Sequence, residues 1–100
     1  MKLSTLFRRA VEIGIDADPR GKKRIQTELK KEKERQAKLK GVEKELADEE
    51  KTWNPYTDSR IIAGTGEENV VHLMVGIDIE TPEVLLADRL REKGTKIDAL

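Results

Sequence analysis

The chain has 100 residues, 36% hydrophobic and 40% charged, with twenty basic residues balancing twenty acidic ones. That length allows one small domain, and the thin supply of apolar residues, with Phe7, Trp53 and Tyr56 as the aromatics, limits the core it can build. The absence of cysteine excludes a disulfide framework and a thiolate metal site, and no apolar run approaches the roughly 20 residues of a membrane span.

Met1 to Ile15 is interrupted by Arg8, Arg9 and Glu12, so it lacks the apolar stretch of a secretory signal, and a cytoplasmic location is expected. A first helix is expected from Ser4 to Ile13. Ser4 serves as N-cap, Leu3, Leu6, Phe7, Ala10 and Val11 form the buried stripe, and Gly14 ends it. Asp18-Pro19 then reads as a cap and first-turn proline opening a charged helical segment to about Thr52. Ile25, Leu29, Leu39, Val42 and Leu46 give that segment a stripe too sparse for a coiled-coil seam. Two readings are open, one unbroken helix from Pro19 to Thr52, roughly 50 Å long, or a helical hairpin broken at Gly41, and charge placement favours the hairpin. That break would set Lys38 and Lys40 at the negative end of one helix and Glu43 and Glu45 at the positive end of the next.

Charge is segregated along this segment. Arg20 to Lys40 holds ten basic residues against three acidic, and Gly41 to Asp58 holds two against six. Such asymmetry can mark a nucleic-acid face, but the basic run carries no aromatic on which a base could stack. Two helices whose charges face each other or water is the expected reading, without a nucleic-acid or membrane partner.

Residues 53–59 lose helical periodicity and gain proline and turn formers, which makes them a loop. From residue 60 to 100 the pattern predicts a β-β-α-β unit. Arg60 to Ala63 is a short strand, and Gly64-Thr65-Gly66 is a hairpin turn with too few glycines for a phosphate loop. Val71, Leu73, Val75, Ile77 and Ile79 then alternate with Val70, His72, Met74, Gly76 and Asp78, the period of a strand with one apolar face. Thr81-Pro82 caps a helix to Lys93, Gly94 stops it, and Ile97 to Leu100 begins a second, parallel strand that does not finish. The fold class expected is therefore α+β: an amino-terminal helix and a charged hairpin over residues 1–52, then a small sheet containing an α/β unit, as in a truncated module of a larger protein.

Several residues could carry chemistry. Asp78 and Glu80 share a face at the carboxyl end of the long strand, where α/β sheets place ligands, and two carboxylates there could bind a metal or exchange protons. They could equally serve locally, Asp78 capping the next helix and Glu80 in water. Asn54, Tyr56 and Arg60 sit with Trp53 and Asp58 in a dense loop that suits a ligand contact. It suits equally a structural plug, with Trp53 and Tyr56 covering the sheet and Arg60 pairing Asp58. His72, the single histidine, lies about 20 Å of strand from Asp78, too far to share one ion, and reads as an edge or packing residue.

Asp18-Pro19-Arg20-Gly21, the run from Trp53 to Ile61, and Val75-Gly76-Ile77-Asp78-Ile79 followed by the Pro82 to Ala87 helix resemble the amino-terminal part of one family. It is the GTP cyclohydrolase I type 2, or Nif-three-like, family, and the resemblance spans essentially all 100 residues. It implies a scaffold cut from a larger domain, in a homo-oligomeric protein that binds a pair of divalent metal ions and acts as a metal-dependent hydrolase. The family's histidine pair would follow the strand at Ile97 to Leu100, with further ligands later, and none of those positions lies within the chain. The resemblance thus implies no catalytic residue, metal ligand or cofactor here. It leaves Asp78, Glu80, Asn54, Tyr56 and Arg60 as candidates for contacting a ligand or orienting metal ligands. The alternative is a non-enzymatic binding or oligomerisation module built on the charged helices.

Overall fold

In the computed structural model, which describes residues 1–100, the chain is 51% helical and only 4% of it lies in β-bridges. Helices α1 (Leu3–Ala17), α2 (Lys22–Ala37), α3 (Val42–Glu45) and α4 (Thr81–Glu92) form, with a 3-10 turn at Glu49–Thr52. No sheet forms, which overturns the expected β-β-α-β unit. Alternation specifies which side chains share a face, but a strand also needs a neighbouring backbone to pair with. Residues 60–63 find none. The segment from Val70 to Ile79 pairs at a single point, a parallel bridge between Leu73 and Ala99. Its far end is bent away from strand geometry at Asp78, where φ is 54°. There Ile79 folds back so closely that a Cβ on Gly76 would lie 2.7 Å from its Cδ1.

The residues divide into two compact units, Arg8–Arg60 and Met1–Phe7 with Ile61–Leu100. In the first, α1 runs through Gly14 rather than stopping there. A Cβ at Gly14 would stand 3.3 Å from the Tyr56 ring, so the missing side chain admits the aromatic instead of ending the helix. Val11 on α1 and Ile25 on α2 are the buried aliphatics of this unit, Ile25 completely so.

Asp18 does not cap α2 as its sequence position suggests. Its carboxylate accepts the Arg20 amide at 2.9 Å and closes the Pro19-Arg20 turn, and Gly21 at φ 87° stands at the cap of α2. The first turn of α2 is Lys22-Lys23-Arg24, an unfavourable charge for the positive end of a helix. Lys22 pairs with Asp16 at 2.9 Å and Arg24 with Glu28 at 3.5 Å, which offsets part of that repulsion. The helical run breaks near Gly41, as the sequence predicts, but no long second helix follows it. α3 has one turn, and Gln36 at the end of α2 donates to the Asp48 carbonyl at 2.8 Å, just before the 3-10 turn.

In the second unit, the first amides of α1 are satisfied by a loop instead of the Ser4 side chain. Leu3 and Ser4 donate to the carbonyls of Glu68 and Gly66, each at 2.9 Å, and Lys2 bridges antiparallel to Asn69. The loop 64–66 is held by Glu68, whose carboxylate accepts the Thr65 and Gly66 amides at 2.6 and 2.8 Å. α4 begins one residue before its expected start, with Glu80 and not Thr81 at the N-cap. Val70 and Ala87 are the buried aliphatics here, whereas Val71, Val75 and Ile77 are 70%, 79% and 92% exposed.

Candidate functional site

The loop from Trp53 to Arg60 brings three of the five candidate residues into one network. Asn54 is 3% exposed, the only buried polar side chain. Its amide donates to Glu50 Oε1 at 2.9 Å and to the Ser59 carbonyl at 2.8 Å, and its Oδ1 accepts the Tyr56 amide at 2.8 Å. The loop is thereby closed on itself through one side chain.

Tyr56 and Arg60 extend the network in two directions. The Tyr56 hydroxyl donates to Asp18 Oδ2 at 2.9 Å, and Arg20 grips the same carboxylate through Nε and Nη2 at 3.1 and 3.0 Å. The Arg20 side chain and amide, with the tyrosine hydroxyl, hold the Asp18 carboxyl well below the usual carboxylate range. Burial, then the neighbouring carboxylate, pushes the Tyr56 phenol up. Arg60 pairs with Asp48 at 2.8 Å and with Glu50 at 3.5 Å, not with the adjacent Asp58, and its hydrogen bond lowers the Asp48 pKa. Trp53 covers no sheet; its ring lies under the Arg8 guanidinium, 4.0 Å from ring centroid to Cζ.

Every candidate in this loop is therefore occupied by a partner within the protein. Such a network orders the polypeptide, and it leaves no unsatisfied buried polar atom aimed at a ligand. The nearby cleft of about 450 Å³, lined by Leu39, Leu46 and Ala47 with Arg35, Asp48 and Lys51, is wide open and draws its charges from both signs.

Asp78 and Glu80 belong to the other unit, at a turn and at a helix cap rather than on one strand. Asp78 occupies the left-handed turn after Ile77. Glu80 forms a capping box with Glu83: its side chain takes the Glu83 amide, and Glu83 Oε2 takes the Glu80 amide at 2.9 Å. The capping role expected of Asp78 thus falls to Glu80.

Sequence reasoning did not identify Asp98, which organises the segment that carries His72. One Asp98 oxygen accepts the amides of Val71 and His72 at 2.9 and 2.7 Å and lies 3.3 Å from His72 Nδ1. The two amides, followed by the histidine ring, lower the Asp98 pKa. Nothing in the local pattern Lys96-Ile97-Asp98 signals this, because the contact spans 26 residues.

No group of three or more His, Cys, Asp or Glu side chains stands close enough to hold a metal ion. No helix is long and apolar enough to cross a membrane. Comparison with protein-family models, with curated proteins and with solved structures gives no match.

Proposed function

We propose that this chain is the scaffold portion of a cytoplasmic, Nif-three-like metal-dependent hydrolase, supplying framework and no metal ligand. The observation that carries the proposal is the parallel bridge between Leu73 and Ala99 on either side of α4. Met74 donates to the Ala99 carbonyl at 3.0 Å, and Ala99 donates to the His72 carbonyl at 3.4 Å, the bond pattern of a parallel pair. Direction and order are those the family resemblance implies. In that register a polypeptide continuing beyond Leu100 would run alongside Val75 and Gly76, up to the bend at Ile77 and Asp78. A histidine pair there would emerge beside the turn that carries Asp78, where a carboxylate can orient a ligand histidine. Hydrolytic chemistry is assigned to none of the residues present.

The reading frame beyond the Leu100 codon tests this proposal. Two histidines within the next several codons are the expected result, and a frame that closes at Leu100 overturns the reading. Calorimetric titration of the 100-residue protein with zinc or manganese is the second measurement. No stoichiometric site is expected, and one of micromolar affinity or better would contradict a purely structural role.

A further inference from the structure

The edge of the Leu73 segment opposite Ala99 has the properties of a self-pairing surface, and we propose that two copies of this chain join there as an antiparallel β-pair around a two-fold axis at Met74. The bridge to Ala99 uses the His72 carbonyl and the Met74 amide, which by the alternation of a β-ladder turns the N–H and C=O of Leu73 to the other side. Those groups, and the same groups of Val75, bond to nothing in the chain. With the axis at Met74, Leu73 faces Val75 of the second copy, and the two such pairs supply four backbone hydrogen bonds.

The same register pairs like with like on the exposed face. Leu73 lies opposite Val75 of the second copy, and these two side chains are 48% and 79% exposed in the single chain. Edge strands are ordinarily blunted by lysine, proline or a bulge, and between Val70 and Ile77 there is no lysine, arginine, aspartate, glutamate or proline. No like charges therefore meet across the axis, and the sequence around Met74 is its own complement. A second copy satisfies the hydrogen bonds, the apolar face and the electrostatics together, and two-fold pairing closes the assembly at two chains.

Sedimentation velocity of the 100-residue protein across a range of concentrations reads the assembly, and a monomer–dimer equilibrium is expected. Val75→Lys sets an ammonium against Leu73 of the second copy and should raise the midpoint concentration by roughly tenfold or more. Register is tested with a single thiol, since the chain has no cysteine. Met74→Cys faces its own copy at about 4.5 Å between Cα atoms, within disulfide reach, and should cross-link under mild oxidation. Val71→Cys is offset from its copy by six residues, about 20 Å, and should not. A protein monomeric throughout, a dimer indifferent to Val75→Lys, growth into open polymers, or equal cross-linking of both thiols would each overturn the proposal. Should Met74→Cys not fold, the behaviour of the unmodified protein and Val75→Lys decides.

Discussion

Glu32 and Asn54 show how single polar side chains carry the order of the Arg8–Arg60 unit. Glu32 accepts from Arg35 at 2.7 Å and from Gln36 at 3.0 Å, and the same Gln36 amide reaches the Asp48 carbonyl. These donors, Arg35 foremost, lower the Glu32 pKa from 4.5 to about 2. A carboxylate with a depressed native pKa stabilises the fold above its unfolded value and loses that contribution as pH falls through the native one. Contact between the end of α2 and the 3-10 turn should therefore weaken progressively between pH 4.5 and about 2. Amide shifts of residues 36–50 followed by NMR across that range check it, and Glu32→Gln should flatten the titration. Asn54→Ala removes the buried amide that the half-buried Tyr56 amide and the Ser59 carbonyl bond to, at a cost on the order of 1–2 kcal/mol. Urea unfolding followed through Trp53 fluorescence measures it. Stability within about 0.5 kcal/mol of the unmodified protein, the range of an ordinary surface change, would show that water substitutes for the amide.

At the scale of elements, the helices were legible because their signals are local. Apolar spacing and terminal residues bring α1, α2 and α4 out of the sequence, with errors confined to the ends. Gly14 is a stop signal until the Tyr56 ring is known to need its space, and Asp18 is a cap until Arg20 and Tyr56 compete for its oxygens. The sheet failed for the opposite reason. Alternation from Val71 to Ile79 describes a face, while pairing depends on a backbone partner that local pattern does not name, and here only Ala99 supplies one. The loop candidates Asn54, Tyr56 and Arg60 were found by residue density, but their partners Asp18, Asp48 and Glu50 lie in other segments. At the start of α4, Thr81-Pro82 looked like the cap and Glu80 proved to be it. Glu80→Ala should cost about 1 kcal/mol in thermal or urea unfolding, and Glu80→Ser, a good N-cap, should recover most of the loss. Equal stability of the three proteins would show that the box forms without supporting the helix.

Across the whole molecule, the balance of buried and exposed apolar surface sets the expected cooperativity. Only Val11, Ile25, Val70 and Ala87 are buried aliphatic side chains, whereas fourteen large hydrophobic residues stand exposed. Apolar burial is the main term opposing chain entropy, so a protein with so small a core holds little stability in reserve. The exposed set is uneven as well. Ten of its members lie between Ile62 and Leu100, where Val70 and Ala87 are the buried aliphatics, and four lie in the first forty-six residues. The unit containing residues 61–100 should accordingly lose order at lower denaturant than the unit containing residues 8–60. The single tryptophan, Trp53, reports on the latter alone, while far-ultraviolet circular dichroism reads α4 together with α1 and α2. At low protein concentration, where pairing at the Leu73 edge is negligible, the two urea transitions should not coincide. Circular dichroism should begin to fall first, and Trp53 fluorescence should follow at higher urea. Superimposable curves would mean that the two units unfold as one. In that case the exposed face between Val71 and Ile79 does not weaken the segment that carries it.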